Sequence, residues 1–324
     1  MRNSANTIEI PVNDVKGRLI VKNETMGSTG SLKDRVAYHM IQQAEKRHKL
    51  RPGDTIVECT AGNNGIALAH IANNRGYKFV AVVSEGADCE KVDSIRALNA
   101  EVVFVRNLGN LDLTSMMMCL RRKALEICRT TNRAIFLDQA DSPENPESYL
   151  PLGEEIAEKI TDIRALLGIV GTGGSLCGTA RAVKEKRPST EIVAVCMRGS
   201  PIFAHRALTL RNLLRLFQPP PNLPKNIDYS LIDSHRIVTL KEAVSTCRFL
   251  YRQGISAGLL SSATIHEALK MLHEKPRVEG SIVTILGDSA EYLEYTYLDN
   301  RWVQEAKLFD GEIEKQLEDW TDFK

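Results

Sequence analysis

Leu166-Leu167-Gly168-Ile169-Val170 runs straight into Gly171-Thr172-Gly173-Gly174-Ser175, and Leu176–Lys186 after it has helical spacing. An apolar run with no polar alternation is what a strand buried on both faces requires, and the glycines mark a tight strand-to-helix turn. Similar runs recur at Thr55–Glu58, Phe79–Val83, Val102–Val105, Ala134–Leu137, Ile192–Cys196 and Ile282–Leu286. Helix-like stretches fall between them at Lys33–His48, Gly65–Asn74, Lys91–Leu98, Met116–Cys128 and Ala263–His273. This alternation predicts an α/β protein with mostly parallel sheets flanked by helices, and ligands beyond the carboxyl ends of the strands. Pro219–Pro224 reads as an extended connection, and the tail Gln304–Lys324 as a terminal helix packing on a lobe or a partner.

Three loops have the chemistry for a ligand. Gly171, Thr172, Gly173, Gly174 and Ser175 offer close backbone approach, hydroxyls and the free N–H groups of a helix start, which suits a phosphate. No Gly-Lys-Ser/Thr follows, so this is not a nucleotide P-loop, and a simple tight turn is the competing reading. Gly30-Ser31-Leu32-Lys33-Asp34-Arg35 places Lys33 in a first helical turn, with Ser31 as the expected cap. The helix dipole there lowers an ammonium pKa, and a lysine that is neutral part of the time can form a Schiff base. A solvated helix start is the alternative. Thr60-Ala61-Gly62-Asn63-Asn64-Gly65 adds backbone N–H groups and two carboxamides, a match for a carboxylate, or else a capped turn.

The bulk properties narrow the classes. The 324 residues suffice for two lobes, and a formal net charge of +1 points to neither nucleic acid nor an anionic membrane. Arg121-Arg122-Lys123 reads as a solvated helix face. The chain has no apolar segment of membrane-spanning or signal-peptide length. Seven dispersed cysteines with no C-x-x-C pair argue against a disulfide framework and a zinc site. Cytoplasmic residence is the expectation, with no metal, no membrane and no nucleic-acid partner.

In this order, Gly-Ser-Leu-Lys-Asp-Arg, Thr-Ala-Gly-Asn-Asn-Gly-Ile-Ala-Leu-Ala and Gly-Thr-Gly-Gly-Ser resemble the cysteine synthase / cystathionine β-synthase family of pyridoxal-phosphate enzymes, with the tryptophan-synthase-β-like fold. Pro52–Glu58, Asp138-Gln139 with Asn145-Pro146-Glu147, and Gly287–Leu293 match in order too, so the likeness runs from about Val21 to Val303. The resemblance implies pyridoxal 5'-phosphate held on Lys33, its phosphate on Gly171–Ser175, its ring hydroxyl on Asn63 and its pyridine nitrogen facing Ser289, with Asp288 as the rival. It implies that Thr60, Ala61, Gly62, Asn64 and Gln139 hold a substrate carboxylate.

It further implies a homodimer whose larger lobe is residues 1–37 and 139–324. A smaller mobile lobe, 38–138, carries the asparagine loop. The implied reaction is β-replacement on O-acetyl- or O-phospho-L-serine through an aminoacrylate, in amino-acid biosynthesis. The alternatives are an amine nucleophile giving a 2,3-diaminopropionate-type product, a serine/threonine dehydratase, and a non-catalytic relative.

Several positions depart from the family pattern. Ala61 stands for a common serine, Ala140 for a bulky aromatic, and Pro151–Glu155 for a Thr-Thr-Gly-Pro-Glu run. Arg211–Phe217 lacks the usual glycines, and Gly258–Ser262 replaces Gly-Ile-Ser-Ser-Gly. Gly199-Ser200 with Ile202-Phe203 resembles the relatives that make 2,3-diaminopropionate precursors, and Arg198 beside it is a candidate for a second carboxylate or a phosphate leaving group. The changes cluster on the substrate side.

Overall fold

The computed structural model describes residues 6–106, 108–109, 111–203 and 223–323. Arg211–Phe217 and the prolines of 219–221 lie outside them. In chain order the elements are β1 (Thr7–Ile10), β2 (Arg18–Asn23), α1 (Lys33–Lys46), β3 (Thr55–Cys59), α2 (Asn63–Arg75), β4 (Lys78–Ser84), α3 (Cys89–Ala97), β5 (Glu101–Val105), α4 (Leu113–Thr130), β6 (Ala134–Phe136), α5 (Glu144–Glu147), α6 (Leu150–Lys159), β7 (Ile163–Ile169), α7 (Gly174–Lys186), β8 (Glu191–Met197), β9 (Ser234–Val238), α8 (Leu240–Arg252), α9 (Leu259–Glu274), β10 (Ser281–Leu286), α10 (Asn300–Glu305) and α11 (Gly311–Trp320).

The strands form two sheets. One has the order β1-β2-β10-β7-β8-β9 and the other β5-β4-β3-β6. Among the described strand pairs only β1–β2 is antiparallel. The apolar runs are explained by burial on both faces. In the larger sheet Ile20, Leu166, Ile192, Ala194 and Val283 join one core. Their neighbours Leu19, Val21, Ala165, Leu167, Val193, Val195 and Ile282 join another on the opposite face. In the smaller sheet Phe79, Ala81 and Val83 point one way and Val80 and Val82 the other. Side chains alternate along a strand, so two buried faces erase the polar half of the pattern.

All seven strands expected from the sequence are present, with ends displaced by at most three residues. The helix α2 starts at Asn63, two residues before the expected Gly65, because Gly62 in extended geometry serves as its N-cap. The helix α11 packs on α8, so the tail closes on the chain itself.

Candidate active site

Every loop singled out leaves the C-terminal end of a parallel strand. The β2 end leads to Lys33, the β10 end to Ser289, the β7 end to the glycine turn, the β3 end to the asparagine loop and the β6 end to Gln139. Since β2 and β10 are neighbours, the lysine and serine loops are held together. The Leu32 N–H donates to the Gly287 carbonyl at 2.9 Å, and Ser31 bridges to Asp288.

Lys33 is the first residue of α1. The N-cap position belongs to Leu32 rather than Ser31, yet the Ser31 hydroxyl still accepts the Lys33 N–H at 3.1 Å. Asp34 accepts the Thr29 N–H at 3.0 Å and also the Thr29 hydroxyl, which folds the approach loop onto the helix start. Burial holds the Lys33 ammonium pKa below the usual range, against the Asp288 carboxylate, which raises it. The cause is therefore desolvation, where the sequence argument had invoked the helix dipole.

Asp288 is fixed by other bonds. It accepts the Ser261 N–H at 3.2 Å and the Ser261 hydroxyl in the first turn of α9. The Ser261 hydroxyl also accepts the Gly287 N–H at 3.0 Å. Burial raises the Asp288 pKa, opposed by Ser261 and by the Lys91 charge. The altered Gly258–Ser262 stretch is thus an anchor for the strand end. Ser289, one residue on, is part-buried, and its hydroxyl makes no hydrogen bond among the described residues.

The glycine turn has the geometry of an anion cradle. Gly173 is left-handed, with φ +85°, and a Cβ there would lie 2.9 Å from the backbone N and Cα of Ile227. Gly174 opens α7 directly against the Asn145 carboxamide. The first-turn N–H groups of α7 have no intrahelical acceptor by construction, and no acidic residue lies in 171–175 to compete with an anion. Asn145 ties this turn to the β6 loop. Its Nδ2 donates to the Thr172 hydroxyl at 3.1 Å and to the Gln139 carbonyl at 2.5 Å.

In the asparagine loop Thr60, Ala61, Gly62 and Asn63 are part-buried, whereas Asn64 is buried. Neither Oδ1 nor Nδ2 of Asn64 has a partner among the described residues. A buried carboxamide left with an unmet donor and acceptor at a helix start is what a ligand would complete.

A cavity of about 530 Å³ opens beside these loops. Its walls include Glu58, Gln139 and Ala140 from the smaller-sheet ends, Met117, Met118 and Arg121 of α4, Gly171 and Thr172 of the cradle, and Ser200–Ile202. Lys33, Asn63, Asn64, Ser175 and Ser289 are not in its walls, so the cavity lies to one side of the lysine. Arg198 is exposed and does not line it either.

Three carboxylates and one arginine in this wall had been given no role from the sequence. Glu58 is buried, and both its oxygens accept backbone N–H groups, from Cys59 at 2.9 Å and Gln139 at 3.1 Å. Burial nevertheless outweighs those bonds and pushes its pKa up to about 8. Arg121 is not a solvated face residue. It pairs with Asp138 and, at 3.0 Å, with Asp141, and its guanidinium sits 5.8 Å from the centre of the Phe136 ring. Asp138 and Asp141 lie outside α4, on the loop after β6, so no helical periodicity could disclose the pairing. The one local hint was Asp138-Gln139 itself, directly after a strand.

A profile of the family described as "Pyridoxal-phosphate dependent enzyme" matches residues 6–288. The chain belongs to that family. It is 33% identical to cysteine synthase A of Escherichia coli over 318 residues, covering 93% of this chain and 92% of that one. It is 31% identical to the cystathionine beta-synthase of Oryctolagus cuniculus over 304 residues, 92% of this chain and 54% of that one. A solved hydrogen sulfide-producing enzyme from Fusobacterium nucleatum superposes with a TM-score of 0.78 at 27% identity, covering 88% of this chain and 93% of that one. The chain is therefore a pyridoxal-phosphate enzyme of the transferase/lyase type, with the α/β, mostly parallel fold of those relatives.

The site fits the cofactor. A desolvated lysine amine, an acid-free glycine turn at a helix start and an unpartnered buried carboxamide correspond to an aldehyde, a phosphate and a polar ring edge or substrate group.

Proposed function

We propose that this pyridoxal-phosphate enzyme carries out β-replacement on an O-activated L-serine, either O-acetyl- or O-phospho-L-serine, as a cysteine synthase does. The observation that carries the reading is the strand-end pair of Lys33 and Ser289. The lysine is desolvated enough to hold a reactive amine, and the residue after the anchored Asp288 is a neutral hydroxyl. Bound pyridoxal phosphate supplies an electron sink, and a neutral partner at its ring nitrogen keeps that sink weak, which favours loss of a β leaving group over long-lived carbanions.

In this reading Lys33 holds the cofactor and its amine takes the α proton of the substrate as general base. Gly171, Thr172, Gly173, Gly174 and Ser175 hold the phosphate, Asn63 the ring hydroxyl and Ser289 the ring nitrogen. Thr60, Ala61, Gly62, Asn64 and Gln139 orient the substrate carboxylate through backbone N–H groups and carboxamides. The loop 138–142 keeps its shape because Glu58 and Asn145 grip Gln139 from two sides.

We assign residues 38–138 to a smaller lobe that closes on the substrate, and 1–37 with 139–324 to the larger one. The four-stranded sheet lying wholly within 55–136 supports that division. Amino-acid biosynthesis, a cytoplasmic setting and a homodimer follow from the resemblance. The cysteines are free, and among the described residues no helix is long and apolar enough to cross a membrane. Light scattering tests the dimer.

The test of the reaction is the visible spectrum of the holoenzyme before and after O-acetyl-L-serine and, separately, O-phospho-L-serine. A shift with one donor, reversed by an added nucleophile, supports the reading and names the leaving group. A band that neither donor changes overturns it, and release of a 2-oxo acid as main product identifies a dehydratase.

A further inference from the structure

We infer that a second cavity, set between the two chain crossings that join the lobes, binds a short aliphatic monocarboxylate, and that its occupant loosens the grip on the cofactor from behind the site. The coupling rests on the lobe division assigned above; the binding of the acid does not.

This cavity, of about 290 Å³, lies behind Phe136, which also lines the larger one. Its walls come from both crossings. Met40 and Ala44 of α1 follow the first, at 37–38. Ile135 and Leu137 precede the second, at 138–139, and Pro143 follows it. A pocket built from both crossings changes shape when the lobes move, so an occupant that fits one arrangement better shifts the balance between them.

Size and charge set the ligand class. At about 30 Å³ for each water in the liquid, the cavity holds roughly ten non-hydrogen atoms. That is the small end of organic-ligand sites, which run from roughly 300 to 1,000 Å³. The five walls named are apolar and suit an alkyl chain, and the charged groups Arg47, Lys49 and Glu144 complete the lining. Glu144 is already engaged, one oxygen by Arg47 and the other by the Ser142 hydroxyl. Lys49 is exposed and forms no ion pair among the described residues. The Gln43, Ala44 and Glu45 carbonyls at the end of α1 take the N–H groups of Arg47, Lys49 and His48, so the negative end of that helix is covered. A carboxylate head therefore finds the Lys49 ammonium, whereas an amine head meets two cations and an acid whose oxygens are both taken.

The path to the site is short. Glu144 and Asn145 are consecutive in α5. Asn145 Nδ2 donates to the Gln139 carbonyl at 2.5 Å and to the Thr172 hydroxyl at 3.1 Å. An occupant that presses on Pro143 and Glu144 shifts the carboxamide that ties the Gln139 loop to the glycine turn. Linkage makes the effect reciprocal: the factor by which the acid weakens the cofactor is the factor by which the cofactor weakens the acid.

Hexanoate is the probe, and hexylamine is the cationic control of equal chain length. Calorimetry is run on holoenzyme of wild type, Lys49→Met, Ala44→Leu and Asn64→Ala. Cofactor-free wild type and Lys49→Met are titrated with pyridoxal phosphate, with and without saturating hexanoate. The inference expects saturable hexanoate binding, tighter than that of hexylamine. Lys49→Met and Ala44→Leu should each weaken it about tenfold or more, and Asn64→Ala should leave it in place. Hexanoate should lower cofactor affinity about fivefold or more in wild type and not in Lys49→Met. Lys49 is on the surface, so its variant decides the matter even where Ala44→Leu fails to fold. No saturable heat, or hexylamine binding as tightly, overturns the site. So does hexanoate binding that Asn64→Ala abolishes and Lys49→Met spares, which puts the acid on the asparagine loop instead. Binding that the cavity variants weaken while cofactor affinity stays constant overturns the coupling. X-ray scattering of holoenzyme with and without donor reads lobe closure by itself, so a failure of the lobe division is seen separately.

Discussion

Alanine at Gly173 and alanine at Gly171 separate the two things the glycine turn does. At 173 the left-handed backbone costs an L residue about 1–2 kcal/mol. The added methyl would also sit 2.9 Å from the Ile227 backbone, and forcing a packed neighbour aside costs about 1–3 kcal/mol more. Gly173→Ala should therefore lose about 2–5 kcal/mol of stability, even without cofactor. At 171 nothing lies within 4 Å of the new methyl and the backbone is not left-handed, so Gly171→Ala should change stability by no more than about 0.5 kcal/mol. If that open space receives the phosphate, the same methyl crowds it, and cofactor affinity should fall about tenfold or more, or ~1.4 kcal/mol. Urea unfolding of cofactor-free protein gives the first quantity, and titration of the visible band with pyridoxal phosphate gives the second. Wild-type cofactor affinity in Gly171→Ala would refute the cradle, and wild-type stability in Gly173→Ala would refute the packing argument.

Three further outcomes can be checked. Asp288→Asn removes the charge that raises the Lys33 pKa while keeping an acceptor for Ser261, so the pH at which Lys33 captures the cofactor should move down, read by stopped-flow absorbance across pH. Arg121→Met removes the ion pair of Asp138 at the cavity wall and leaves Asp141 with Lys225 alone, a cost of about 1–3 kcal/mol. Burial already raises the Asp138 pKa, so the loss should be larger in alkaline than in mildly acid buffer, where protonation relieves the charge; thermal melts at two pH values decide it. Glu242, with the His266 ring nitrogen 3.7 Å away and hydrogen-bonded by Thr239 in the capping box of α8, is held down at about 2 against an ordinary 4.5. Its contribution is full above pH 4.5 and lost as pH falls toward 2, so Glu242→Gln should flatten the acid limb of the stability curve.

The parts of the fold legible in the sequence are those where burial on both faces leaves an unbroken apolar run, as in β4, β7 and β8. The strand β9, Ser-His-Arg-Ile-Val at a sheet edge, was missed because an edge tolerates polar side chains and its residues are mostly part-exposed. The pair β1–β2 was missed because β1 is only four residues long at the opposite edge and β2 carries Arg18 and Lys22 among its apolar residues. Lys22 is buried there only because Glu24 and Glu155 meet its ammonium at 2.9 and 3.2 Å, a tertiary arrangement that no local pattern encodes. The helix α6 was hidden behind Pro151, which occupies its first turn, where a missing N–H costs nothing.

The site divides in the same way. Loops with local signatures, such as the glycine turn and the lysine turn, could be read directly. Arg121 could not, since its partners come from another strand end. Nor could the cause of the Lys33 shift, because desolvation depends on what folds over the amine.

The central claim is that Lys33 carries the cofactor. Holoenzyme reduced with borohydride and digested should yield a single pyridoxyl-modified peptide containing Lys33, and Lys33→Ala should yield none and lack the visible band. A pyridoxyl group on a different lysine, or a visible band that survives in Lys33→Ala, would contradict the account.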